Sequence, residues 1–341
     1  MKKLSAKRKK FLINKNLKEI RRKRKRKNIK YGHSISAEKF HLMQNPEFKE
    51  IEAPQELTLR YENAENVLNF IRRIKKYGNK GYFIDLKLEN VEIIAEGAIS
   101  MLLSVISDLE RKRIFFTGEK PTNEDAKNIL ERSGFFKHMK GSVSKQNTIS
   151  KNKILKTGTK NTHQKELTPE IHKSMETIWK SQSRCPALYG GIGEMMRNSC
   201  DHAFNKNNDI MWHLGISHFD SENTCKFSFV DNGAGIINTY NQKGFIKKIE
   251  NYFTDNADIL DTAFKDGIKS RTGMSWRGKG LPTIYEMYED NIITNLIVIT
   301  NNVYLDFDRK INKTLNSRFS GTYYFWRIND KCQPSYFEIK T

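Results

Sequence analysis

The chain is 341 residues long, 37% hydrophobic and 29% charged, and its 60 Lys or Arg against 39 Asp or Glu leave a formal net charge of +21. That length is enough for two domains that each bury a core, and the mean hydropathy of −0.69 describes a polar chain. No apolar run approaches the roughly 20 residues that span a bilayer, and the basic N-terminus is not followed by the apolar stretch of a secretory signal, so the expectation is a cytoplasmic protein without a membrane span. The four cysteines, Cys185, Cys200, Cys225 and Cys332, form no C-x-x-C pair, which argues against a cysteine metal site and for reduced, structural thiols.

The charge is concentrated at the start. Residues 1–30 hold sixteen Lys or Arg against one acid, Glu19, so they carry +15 of the +21. The run RRKRKRK (Arg21 to Lys27) repels itself, and a disordered tail is expected over 1–50. Such a tail attaches to nucleic acid, an acidic partner or a lipid surface, or it only keeps the chain soluble.

From about Glu56 the pattern alternates. LTLRY reads as a short strand, and ENAENVLNFIRRIKKYG carries Val67, Leu68, Ile71 and Ile74 at helical spacing before a turn bracketed by Gly78 and Gly81. YFIDLKL is a buried-type strand, followed by a helix over about 95–111, the strand RIFFTG, and a helix with Thr122 or Asn123 as N-cap. This is a small α/β layer spanning 51–140. Through YFIDLKLENVEII, Gly97 opening a helix, and Gly118 to Pro121, it resembles the STAS fold of anti-anti-sigma factors. Ala95 and Glu96 stand where those factors carry a phosphorylated Ser, so the resemblance implies docking and not phosphoacceptance.

Residues 141–166 are rich in Lys, Ser, Thr, Asn and Gly and read as a flexible linker. Thr168 and Pro169 then look like an N-cap and first helical position, with Ile171, Met175, Ile178 and Trp179 on one stripe. In the next helical segment, LYGGIGEMMRNSCDHAF, Glu194, Asn198 and Asp201 fall at i, i+4 and i+7 on one face. A carboxylate and a carboxamide one turn apart suit a hard cation and an oriented water. Downstream come two strands, DNGAGI from Asp231 to Ile236, RGKGL from Arg277 to Leu281, and Gly321–Thr322 opening TYYFWRI.

In this order the segments resemble the GHKL ATPases, the superfamily of gyrase B, MutL and the sensor histidine kinases, over roughly 168–330. The resemblance implies a Bergerat-type α/β sandwich within 167–341, so the expected fold class is α/β (α+β), with the smaller STAS-like domain preceding it. It implies binding of ATP with Mg2+: Glu194 as general base, Asn198 as magnesium ligand through its amide oxygen, and Asp231 accepting from the adenine amino group. Gly233 and Gly235 would let the backbone approach the nucleotide. Gly278, Lys279, Gly280 and Leu281 would form a phosphate-binding helix N-terminus, and Thr322 would complete the adenine contacts. Asp201 would position the base or close the magnesium site. Gly233 and Gly235 also read as turn glycines and Lys279 as an exposed cation; His202 is either catalytic or a packing residue, while His213 and His218 show no ligand spacing. Residues 237–277 occupy the place of the ATP lid, with Arg271 and Arg277 facing phosphate.

The expected function is an ATPase that uses nucleotide binding or hydrolysis as a conformational switch in regulation or defence, as a monomer or homodimer. The alternatives are a serine/threonine kinase of the anti-sigma type acting on a STAS partner, and a nucleotide-sensing nucleic-acid binder anchored by residues 1–30.

Overall fold

The computed structural model describes residues 47–133, 135, 152–158, 164–181, 184–201, 211–242, 255–267 and 280–333, with side chains except at 152–166, 201 and 241–242. The first part is an α/β unit: β1 (Phe48–Glu52), β2 (Glu56–Leu57), α1 (Tyr61–Lys80), β3 (Phe83–Lys87), β4 (Ile93–Ile94), α2 (Glu96–Arg111), β5 (Phe116–Gly118) and α3 (Glu124–Arg132). Strands β1, β3 and β5 form a parallel sheet in that order, and β2 pairs with β4. The first strand begins three residues inside the stretch expected to be tail, and LTLRY contributes only its first residue, Leu57, to β2. Helix α1 runs two residues past Gly78, into the expected turn: Gly78 lies within it, where a Cβ would meet Leu109 of α2 at 2.6 Å, and Gly81 caps it. Asn123 is the N-cap of α3, accepting from the Ala126 N–H.

The second part contains β6 (Asn152–Gly158), α4 (Gln164–Trp179), α5 (Pro186–Asp201), β7 (Met211–Phe219), β8 (Thr224–Asp231), α6 (Ile236–Gln242), α7 (Asn256–Lys265), α8 (Gly280–Glu289), β9 (Thr294–Asp306) and β10 (Ile311–Asn329). Its five strands make one antiparallel sheet of order β6-β7-β8-β10-β9. Two expectations change here. Residues 152–158, read as linker, form the edge strand β6, and lysines along an edge strand are a usual guard against further pairing. Helix α4 begins at Gln164, so Pro169 stands inside it and not at its first position; there Pro gives up one backbone bond and its ring crowds the carbonyl four residues back.

The central sheet is buried on both faces. Along β8, Cys225, Phe227 and Phe229 enter the core formed with α4, α5, α7 and α8, whereas Val230 enters the core formed with α1 and α2. On β10, Tyr324, Trp326 and Ile328 face the first core and Phe319 and Tyr323 the second. The period of two along each strand thus divides one sheet between two cores, and each fully buried large side chain contributes about 1.5–3 kcal/mol. The α/β unit is consequently packed directly on the sheet. The molecule is a stack: parallel sheet, helices α1 and α2, five-stranded sheet, and the layer of α4, α5, α7 and α8.

Helix α2 approaches the sheet through small residues at i, i+3 and i+7. A Cβ on Gly97 would collide with the Tyr323 hydroxyl, Ser100 Oγ is 2.8 Å from Ser228 Oγ, and Ser104 Oγ is 3.4 Å from Asn232 Oδ1. A Cβ on Gly215 of β7 would lie 2.6 Å from both Ser100 Oγ and Ser228 Oγ. On the far side of α1, Tyr304 Oη donates to the Leu59 carbonyl at 3.2 Å. Gly97→Ala is therefore expected to destabilise the whole chain by about 1–3 kcal/mol through overpacking, measured as a Tm several degrees lower; an unchanged Tm would mean that α2 does not lie on the sheet.

Candidate functional site

The site is built where α5, α8 and the ends of β8 and β10 converge. Helix α5 is glycine-rich at its start, which costs about 1 kcal/mol per internal Gly relative to Ala. The compensation is contact: Gly191 leaves the room that the Met287 thioether of α8 fills, since a Cβ there would meet it. The approach delivers the start of α8 to the polar face of α5. A Cβ on Gly280 would lie 3.0 Å from Glu194 Oε2, 3.2 Å from Asn198 Nδ2 and 3.4 Å from Asn198 Oδ1. Glu194 is also paired with Arg197, one turn along, and its side chain keeps 25% of its exposure.

At the end of β8 the alternation that buries Phe227 and Phe229 turns Asp231 to the same side of the sheet, toward α5. Its Oδ1 accepts from the Gly233 N–H at 2.7 Å and its Oδ2 from Ser199 Oγ at 3.2 Å. Burial pushes this carboxyl above the usual carboxylate range, opposed by the bonds from Gly233, Ser199 and Thr322. Thr322 lies opposite Asp231 in the β8–β10 ladder, and its hydroxyl is 3.4 Å from that of Thr300. The neighbouring Gly321 has φ of +129° and its Cβ would collide with the Asp231 carbonyl, so the pairing requires glycine there.

The turn after Asp231 is held from two sides. Toward β9, Asn301 Nδ2 donates to the Ala234 carbonyl at 2.8 Å, its Oδ1 accepts from the Asn238 N–H at 3.2 Å, and Thr300 Oγ1 accepts from the Ile236 N–H at 2.9 Å. Gly235, at φ +83°, would press a Cβ to 2.5 Å from the Asn301 amide. Toward the N-terminal unit, Asn232 Nδ2 donates to the Ser104 carbonyl of α2 at 2.8 Å.

Of the residues selected from sequence, Glu194, Asn198, Gly280 and Leu281 come together at the α5–α8 contact, and Asp231, Gly233, Gly235 and Thr322 at the β8–β10 end; Ser199 joins the two groups. Asp201 closes α5, with its side chain outside the described residues, as are Gly278, Lys279, His202, Arg271 and Arg277. Ser199, Thr300 and Asn301 were not selected. Their only sequence mark is polarity at positions flanked by apolar neighbours, as in IVITNNVYL. His213 and His218 are buried in β7, and His218 Nδ1 lies 2.8 Å from Thr177 Oγ1, a packing role. All four cysteines are free, and burial pushes the thiols of Cys185 and Cys225 up to about 12, which leaves them un-ionised and unreactive.

Because the Asp231 carboxyl is raised, the folded chain holds this proton more tightly than the unfolded chain does. Stability is therefore lost as pH rises from the ordinary value of 3.8 through the folded value. Asp231→Asn removes that loss, since an amide keeps the Gly233 bond through its oxygen and donates to Ser199 Oγ. The expected result is a Tm at neutral pH equal to or above that of the unsubstituted protein, the difference closing toward pH 3.8; a Tm several degrees lower would show that the fold depends on the charge.

Comparison of the chain with known protein families, with curated proteins and with solved structures finds no match in any of the three.

Proposed function

We propose that this cleft binds an adenine nucleotide with Mg2+ and hydrolyses it in the manner of the GHKL ATPases, the nucleotide state acting as a conformational switch. The reading rests on one observation above the others: the carboxylate of Glu194 and the carboxamide of Asn198 meet at Gly280, at a glycine helix start, on the same helix whose Ser199 bonds the buried Asp231. The residues fit the nucleotide. Gly280 leaves a cradle that a Cβ would fill, and Asp231 is a buried acceptor of the kind that an exocyclic amino group satisfies. Magnesium is usually held by one or two protein oxygens together with phosphate and water, and Asn198 Oδ1 could be one of them.

Bound Mg-ATP would supply the electrophilic phosphorus and its leaving group. Everything else falls to the chain. Glu194 orients a water and accepts its proton at an Oε atom, after its ion pair with Arg197 opens. Asn198 Oδ1 offers the hard oxygen that a magnesium ion prefers. The backbone N–H groups of Gly280 and Leu281, the first described residues of α8, would oppose negative charge there in this reading. Asp231, with Thr322 beside it, reads the base, and Gly233 and Gly235 keep the turn low enough for it to enter. In this reading the GHKL-like sandwich is the five-stranded sheet with its helix layer, beginning at β6 and so before residue 167, and the α/β unit, STAS-like in the same reading, backs the sheet.

Two variants test the assignment. Glu194→Gln should bind Mg-ATP as before and release no free phosphate; undiminished turnover would remove Glu194 from the role of base. When γ-labelled ATP is used, label appearing on protein and not as free phosphate would replace hydrolysis by kinase chemistry. Gly280→Ala pushes a methyl against the mobile ends of Glu194 and Asn198 and leaves the core untouched, so turnover should fall about 10- to 100-fold from misplaced groups with Tm held. Equal turnover in Gly280→Ala would separate this contact from the chemistry.

A further inference from the structure

Several surface cations among the described residues are paired: Lys112 with Asp108, Lys127 with Glu124, Lys265 with Asp261 and Arg309 with Glu62. The second half of α1 gathers cations of another kind. Arg72, Arg73 and Lys76 are exposed on its solvent face, and among the described residues none of them has a carboxylate partner. Arg72 bonds only the Asn69 amide, at 2.8 Å, and lies one turn from Lys76, a like-charge spacing that disfavours the helix. A helix C-terminus attracts cations, but that effect is confined to the last turn, and Arg72 and Arg73 stand about two turns before Lys80.

The same surface has aromatic rings set among the cations. Lys49 of β1 lies 5.1 Å and Lys76 5.8 Å from the centre of the Tyr77 ring, and Tyr82 meets that ring edge-on at 5.9 Å. Lys112, at the end of α2, reaches Asn79 at 3.1 Å but is paired with Asp108. The described chain also begins here: the Glu47 carbonyl accepts from the Phe83 N–H at 2.9 Å, just past the end of α1.

We infer that the C-terminal half of α1, with Lys49, is a binding surface for the sugar-phosphate backbone of single-stranded nucleic acid. Charge complementarity carries the assignment: unpaired cations in a row attract a regularly spaced polyanion, and rings between them offer stacking faces to its bases. A lipid surface fits less well, because the one exposed large hydrophobic side chain among the described residues, Ile93 at 51%, belongs to β4 and not to this face, and interfacial binding needs buried apolar area. The inference is independent of the nucleotide site.

The test uses the full chain and a fluorescent 20-nucleotide single strand, with binding followed by anisotropy over a salt series. The triple variant Arg72→Gln, Arg73→Gln, Lys76→Gln is compared with the unsubstituted protein and with a control lacking three paired cations, Lys120→Gln, Lys127→Gln, Lys265→Gln. Removing three phosphate contacts should lower the slope of log K against log salt by about 2, at ~0.7 per contact for single strands, and weaken binding at least tenfold at low salt, with the control unaffected. Equal slopes and affinities in the triple variant and the unsubstituted protein would overturn the inference and leave binding to the tail alone. So would equal losses in the control, or capture by phosphatidylserine vesicles in preference to the oligonucleotide. The three side chains are exposed, so Tm should hold; if it does not, the single exchanges Arg73→Gln and Lys76→Gln, each expected to remove about 0.7 of slope, make the same test.

Discussion

Burial of the five-stranded sheet on both faces is the constraint from which the rest of the structure follows. A sheet with one wet face alternates apolar and polar residues, but β7 is buried at eight of its nine positions and β8 at seven of eight. Each strand must then satisfy two cores at once. The helix layer of α4, α5, α7 and α8 covers one face, and α1 and α2 cover the other. Removing either would expose large side chains such as Trp326 on one side or Tyr323 on the other.

The same constraint aims the candidate site. Since Phe227 and Phe229 must face the helix layer, the next residue in that phase, Asp231, faces it too, and so does its ladder partner Thr322. A carboxylate placed there by strand alternation meets α5 through Ser199, and α5 brings Glu194 and Asn198 one turn away. On the other side, Asn232 is bonded to the α2 backbone. The turn that would receive a nucleotide therefore rests against both layers, and any movement of that turn is felt at the α2 contact. This gives the proposed switch a physical route, one bond long, between the cleft and the N-terminal unit.

Much of this was legible in the sequence. The spacing of Glu194 and Asn198, the strand ending at Asp231 and the glycines after it were all readable, because helical and strand periodicities are local properties. What was missed is non-local. Ser199, Thr300 and Asn301 are chosen by partners 32 or more residues away, to Asp231, Ile236 and Ala234, and no local pattern marks them. Gly97, Ser100 and Ser104 do form a small-residue face at helical spacing, yet only the sheet lying against them explains why they are small. Strand β6 was hidden by its lysines and asparagine, which suit an edge and resemble a linker. Gly78 looked like a turn residue because helix packing and turns ask for the same residue.

The central claim is that Asp231 holds an adenine base beside the Glu194–Asn198 pair. It is tested most directly by calorimetric titration of the purified chain and of Asp231→Asn with ATP and with GTP, in magnesium. The account predicts saturable ATP binding by the unsubstituted protein, at least tenfold weaker GTP binding, and loss of most of the ATP affinity in a folded Asp231→Asn. Equal affinity for ATP in the two proteins, or no preference between the two bases, would contradict it.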